Sequence, residues 1–276
     1  MRNFVFIFML LGLPLTIRGQ EIPDSANTTK QPGFLLTSLS YTSNNNNNSR
    51  LANAIKMPAI MANMAYYSNI GVWASINYFK YLVPDTNTYE AEFQIGYEKS
   101  FLDKFDIDFS YTNRQFRGDH AYEGIAYKHS LALSGTYRLG GLSAIVDNSY
   151  MIGPTNNYFL DLSLSYDFKF DGFLFKSGYL MLSPTLTGSF GTSFWVPGTI
   201  DNIWGHHMGG GHPPEFVPRN KFDYQNISLI LPLQYTLGSF TLTGGWYYAI
   251  PSKILKENSW TNQSGFLVSL SYSVIF

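Results

Sequence analysis

Residues 264–276 constrain the fold more than any other stretch of this chain. Phe266, Val268, Leu270, Tyr272, Val274 and Phe276 form one apolar row, and Ser269, Ser271 and Ser273 fall between them. A strand, with period two, places these sets on opposite faces of a sheet. A strand of about ten residues, greasy on one face and small and polar on the other, closing on an aromatic side chain, suits the last stave of a membrane-spanning β-barrel.

Composition agrees. The 276 residues are 45% hydrophobic and 17% aromatic but only 13% charged, where a soluble domain carries roughly a quarter of its residues as charges. Past the amino terminus, no stretch approaches the roughly 20 consecutive apolar residues of a membrane helix. Apolar residues that are plentiful yet scattered singly fit strands that turn every second side chain to lipid. A soluble β-sandwich would alternate too, but with shorter strands and a dry inner row. The net charge of −1 implies neither nucleic acid nor acidic lipid as a partner. The absence of cysteine excludes structural disulfides, thiolate metal sites and a lipid anchor on cysteine.

The amino terminus reads as an export signal over residues 1–20: Arg2 supplies a positive charge, an apolar core runs from Phe4 to Leu15, and Gly19 and Gln20 follow. Residues 21–32 are polar and aperiodic, a flexible periplasmic leader. Residues 33–276 form the barrel. About twelve alternating segments are cut by turn-forming residues: 34–42, 57–67, 71–82, 88–101, 105–116, 124–138, 142–152, 157–170, 178–195, 222–237, 240–250 and 264–276.

The connectors alternate in length. Segments two, four, six and ten end in very short turns around Asn69, Asp103, Gly140 and Gly238, and a slightly longer bend at Gly172 follows the eighth. Connectors after odd segments are mostly longer; one holds the Asn44–Asn48 run, read as a solvated loop, and one runs from about Pro197 to Lys221. Short periplasmic turns and long external loops, joined by an even number of strands, are the pattern of an outer-membrane barrel. Aromatic residues gather near both ends of the segments, as two interfacial girdles would.

On the opposite row stand the charges. Glu90, Glu92, Glu98, Asp106, Asp108, Asp147, Asp161 and Asp167 are acidic lumen-lining candidates, with Arg114, Lys128, Arg138 and Lys169 as counter-charges. A turn centred on Asp103 sets Glu92 opposite Arg114, an attractive pair, and Glu98 opposite Asp108, a repulsive one. An acidic excess biases a wet lumen toward cations or neutral polar solutes. The same charges could instead form a closed internal network.

The long ninth connector holds His206, His207 and His212 beside Met208 in a glycine run. Imidazole and thioether suit copper, and imidazole zinc or nickel, so this loop is a metal candidate, although the spacing fits no standard zinc motif. His129 falls on the outward row with Asn148 on the neighbouring segment, but Leu131 occupies the position a serine nucleophile would need, so no enzyme is expected. No catalytic or phosphate-cradling motif appears, and no cofactor is implied.

The exported amino terminus, the alternating staves and the terminal Ser271, Tyr272, Ser273, Val274, Ile275 and Phe276 resemble a family of porin-like outer-membrane β-barrels of Bacteroidota-type bacteria. That resemblance implies the cell outer membrane as location and lipid and small polar solutes as partners. The expectation is an all-β, antiparallel, up-and-down transmembrane barrel of about twelve strands that passes small hydrophilic solutes. The alternative is a non-conducting accessory barrel docked to an envelope partner.

Overall fold

The structure, a computed structural model, describes residues 33–44, 58–82, 89–102, 104–117, 128–153, 156–192, 222–257 and 261–276. Fourteen strands follow in chain order: β1 (Phe34–Thr42), β2 (Ala59–Tyr67), β3 (Val72–Tyr81), β4 (Tyr89–Phe101), β5 (Phe105–Arg117), β6 (His129–Leu139), β7 (Leu142–Ile152), β8 (Asn157–Tyr166), β9 (Phe168–Asp171), β10 (Gly178–Leu182), β11 (Thr185–Thr192), β12 (Phe222–Leu237), β13 (Phe240–Pro251) and β14 (Gln263–Ile275). A five-residue helix, Lys253–Glu257, lies between β13 and β14. Each strand pairs antiparallel with its neighbours, and β1 pairs with β14, which closes the ring. The barrel has twelve staves, with β9 and β10 as two extra strands at its inner end.

The extra strands have a local cause. One register runs unbroken from β8–β11 into β9–β10, and another from β11–β12 into β10–β12. Each extra strand therefore continues a stave and belongs to no separate hairpin. The interruption falls at Asp167 and at Ser183–Pro184, where Pro232 of β12 lies alongside. Proline has no N–H to give the ladder. The Pro184 and Pro232 carbonyls still accept, from Tyr166 N–H at 3.2 Å and Ser183 N–H at 3.1 Å, but the return bonds cannot form. The Thr185 hydroxyl takes over one lost duty by donating to the Ser183 carbonyl at 3.1 Å.

Tight turns join the inner ends. Leu139 pairs with Leu142 and Leu237 with Phe240, leaving two-residue connections that begin with Gly140 and Gly238. Their φ angles of 59° and 57° are left-handed, which glycine adopts without a Cβ penalty and which matches the twist of the flanking strands.

Register offsets around the ring give a shear of about 16 residues; with twelve staves about 4.8 Å apart, the tilt is ~43° and the backbone diameter ~25 Å. The tilt is visible in single rows. From Thr42 at the outer end of β1, the hydrogen-bonded row passes Leu267, Gly245, Pro232, Ser183 and Asp167 and arrives at Gly141, in an inner turn.

Alternation separates the two faces. Ile76, Tyr78, Phe93, Ile95, Leu133, Leu162, Leu242, Phe266, Val268 and Leu270 all lie on the outward row and are exposed. The inward row buries Ser38, Ser40, Asn77, Glu92, Thr112, Ser130, Ser149, Ser269, Ser271 and Ser273. A continuous exposed apolar band around a closed sheet is the surface a bilayer solvates, and pairing of β1 with β14 removes the long sheet edges. The fold is an outer-membrane-type β-barrel. No described helix is long and apolar enough to cross a membrane. Rings flank the band at both ends: Phe101 with Phe105 and Phe240 with Tyr272 at the inner end, Tyr78 with Tyr89 and Trp246 with Tyr248 toward the outer.

Candidate functional site: the lumen wall

The β4–β5 hairpin sets the charged wall. Its register places Glu92 opposite Arg114 and Glu98 opposite Asp108, as a turn centred on Asp103 requires. Arg114 Nε donates to Glu92 Oε1 at 2.5 Å and approaches Glu90 Oε1 at 3.5 Å. Both carboxylates are buried, so one guanidinium serves two acids in a site largely withdrawn from water. The Tyr81 hydroxyl donates to Glu90 Oε2 at 2.5 Å and Asn77 Nδ2 to Glu92 Oε2 at 3.4 Å. Charge-assisted bonds of this kind are about twice as strong as neutral ones.

Lower on the same wall, Arg138 Nη2 meets Asp106 Oδ2 at 2.5 Å, and Ser100 Oγ donates to Asp106 Oδ1 at 2.6 Å. Asp106 has no exposed surface. Asp108, on the acidic cross-strand pair, accepts the Trp73 indole N–H at 2.7 Å. Trp73 reaches β5 by crossing β4 at Gly96, where a Cβ would lie 2.4 Å from the indole ring. A glycine at that position is therefore a packing requirement, with an absent side chain making room for a ring that bonds two strands away.

The other predicted wall residues sit as follows. Asp161 is half-buried on the inward row and directly opposite Asp147. Asp167 is half-buried in the β8–β9 break, its N–H bonded to the Gly141 carbonyl at 2.9 Å. Lys169 stands on β9 at the inner mouth, 3.4 Å from Asp171. Lys128 lies just before β6, exposed at the outer rim; it extends the β5–β6 register opposite Arg114, its carbonyl accepting the Arg114 N–H at 2.7 Å. His206, His207 and His212 lie outside the described residues. Among the described residues, no three His, Cys, Asp or Glu side chains gather as a metal site would need.

Across the lumen the wall changes character. Ser38, Ser40, Thr241, Thr243, Ser269, Ser271 and Ser273 occupy the inward rows of β1, β13 and β14. Ser40 Oγ donates to Ser269 Oγ at 2.9 Å. The neighbouring hydroxyls of Ser38, Thr243 and Ser271 are buried without a hydrogen-bond partner. Toward the outer end the inward row also carries apolar residues among its polar ones: Ala59, Met61, Phe79, Tyr81 and Leu267 form one cluster and Met151 with Phe159 another. Asn44, expected in a solvated loop, is buried there instead. Its Nδ2 donates to Gln263 Oε1 at 3.2 Å, and its carbonyl accepts the Thr42 and Tyr247 hydroxyls at 3.1 and 3.2 Å. The first residue of the asparagine run is thus tied to the wall by contacts about two hundred residues away in the chain, which no local pattern announces.

On the outward face, Tyr111 Oη and Asn113 Nδ2 lie 2.7 and 3.2 Å from His129 Nδ1, while Asn148 Oδ1 accepts the Tyr158 hydroxyl at 2.5 Å. His129 and Asn148 are engaged by different partners and do not form one unit with a nucleophile.

No protein-family model and no curated protein matches this chain. Similar solved structures include the KdgM porin, at 11% identity and a TM-score of 0.49 over 88% of this chain and 99% of that one. The β domain of the Bordetella autotransporter Brka gives 9% identity and 0.48 over 89% and 100%, and the NanC porin 9% and 0.47 over 87% and 98%. Likeness at this level concerns architecture; what this barrel does must be read from its own residues.

Proposed function

We propose that the chain is exported through its first 20 residues and works in the outer membrane as a porin-like channel for small hydrophilic solutes, with a lumen that favours cations and neutral polar molecules over anions. The terminal serine-aromatic stave supports membership among porin-like barrels of the Bacteroidota type. One observation carries the selectivity: every carboxylate on a described strand lies on the inward row, where carboxylates outnumber the inward cations Arg114, Arg138 and Lys169. Rings of acidic side chains in a low-dielectric wall select cations. The hydroxyl wall of β1, β13 and β14 adds uncharged donors and acceptors along which polar solutes can exchange water for protein.

A second reading has its own support. Phe79 is 6% exposed on the inward row of β3, whereas Tyr78 next to it on the outward row is 43% exposed. Inward apolar side chains so well covered belong to a filled interior, which favours a non-conducting barrel that serves an envelope complex. Planar-bilayer recording of the refolded full chain separates the two. The channel reading expects ohmic steps whose reversal potential in a salt gradient shifts toward that of the cation. Bilayers that hold the protein, shown by immunodetection, and stay silent would favour the filled barrel.

A further inference from the structure

Charges on the lipid-facing side follow a rule of their own. Among the described strand residues, no carboxylate faces outward, and the outward charged residues are Lys80, Lys99 and Arg117. Lys99 sits at the inner end over the Phe101 ring, 5.2 Å from its centroid. Lys80 and Arg117 sit together at the outer end. Tyr89 pairs with Lys80 on one side and with Arg117 on the other, so the three occupy one row across β3, β4 and β5. Lys80 Nζ donates to the Tyr89 hydroxyl at 2.7 Å and stands 4.1 Å from its ring centroid. Tyr78 packs against Tyr89 with centroids 5.7 Å apart. Arg117 is exposed, with no carboxylate partner among the described residues.

The cationic row belongs to one side of the barrel. It continues with polar groups on β5 and β6, namely Tyr111, Asn113 and His129. At the same outer level, the outward rows of β12, β13, β14 and β1 carry Tyr224, Ile227, Trp246, Tyr248, Phe266 and Tyr41, with no charge. Lipid-facing cations are costly at the bilayer midplane and nearly free at the interfaces, so the outer rim tolerates them without requiring them. Two cations about two strand spacings apart, ~10 Å at their Cα atoms, on either side of one tyrosine in the same row, match a phosphate. Guanidinium binds it bidentately, ammonium as a point charge, and the tyrosine adds a hydroxyl.

We propose that Lys80, Tyr89 and Arg117 dock the phosphate of an outer-leaflet lipid against the β3–β5 face. The partner is fixed by charge complementarity and depth: an anion presented from the bilayer at headgroup level, whose chains lie down the apolar row of Ile76, Phe93 and Ile95. The site is independent of what passes through the lumen.

Native mass spectrometry of the full-length barrel in mild detergent tests this. The probes are a bisphosphorylated lipid A, its enzymatically dephosphorylated counterpart and a zwitterionic phosphatidylethanolamine. The expected result is a single lipid A adduct on the wild type, at least about tenfold depleted in Lys80→Gln/Arg117→Gln and largely kept in Lys80→Arg/Arg117→Lys and in Lys99→Gln. The dephosphorylated lipid should bind no better to the wild type than to the double Gln variant. Heat-modifiable gel migration reports that each variant is folded. Equal lipid A adducts on wild type and the folded double Gln variant would overturn the proposal. So would equal binding of the two lipid A forms, or a wild-type dimer that the double Gln variant cannot form and that excludes lipid.

Discussion

Neighbouring residues on β3 meet opposite surroundings. Ile76 and Tyr78 are exposed on the outward row, while Asn77 and Phe79, one residue on from each, are buried on the inward row. Phe79 and Tyr78 are both aromatic, so hydrophobicity alone does not decide which way a residue faces. Strand parity decides, and parity is set by closure of the ring. The difference shows that this barrel has two apolar surfaces, one wetted by lipid around the whole circumference and one packed against protein in the outer part of the interior. Only the polar inward residues distinguish the second from an ordinary core.

The sharpest way to break the comparison is to unbalance the inward side. Arg114→Leu leaves Glu90 and Glu92 buried beside each other without their cation. Removal of one partner from a buried ion pair costs about 3–5 kcal/mol, and equilibrium urea unfolding in micelles should show a loss of that order. Gln115→Leu, on the adjacent outward position, should leave the midpoint almost unchanged. An equal loss in both would mean that Arg114 is solvated and that the inward side is not closed off.

The outward side answers next. Ile95, 55% exposed in the middle of β4, should accept Arg at a cost of about 2–4 kcal/mol when folded into bilayers, as lipid-facing midplane sites do. The same substitution at Gln94, on the inward row, should cost less. A smaller loss at Ile95 than at Gln94 would reverse the assignment of the two faces.

Gly96 offers a test of packing. A Cβ there meets the Trp73 ring at 2.4 Å, so Gly96→Ala must move the indole and break its bond to Asp108. Overpacking of this kind costs about 1–3 kcal/mol. Tryptophan emission should shift to the red as well, and an unshifted spectrum with unchanged stability would show that Trp73 does not lie across Gly96. The smallest effect is expected at Pro184. Pro184→Ala restores one ladder N–H, worth about 0.5–1.5 kcal/mol, and hydrogen exchange at that new amide should be slow if the β10–β11 break is due to proline alone.

The alternation of residues 264–276 was enough to place the two faces of β14, because lipid and interior demand different chemistry at every second position. The Glu92–Arg114 and Glu98–Asp108 pairs were likewise legible, since a short turn ties register to sequence distance. What escaped was non-local. The joint effect of Pro184 and Pro232 needs β10, β11 and β12 in register. The Trp73–Asp108 bond skips a strand, and Asn44 is held by β13 and β14. Pattern along one strand reports which solvent each face meets; it carries no information on partners two strands away.

The chain has no cysteine, so single engineered thiols give unambiguous probes of which surface meets lipid. A polarity-sensitive fluorophore at Leu270→Cys and at Ser271→Cys, in bilayers containing acyl-chain nitroxide lipids, shows which row of β14 faces lipid. Strong quenching by the lipid nitroxide is expected at 270 and little at 271. Equal protection of both sites, in a chain that stays monodisperse in buffer without detergent, would contradict it.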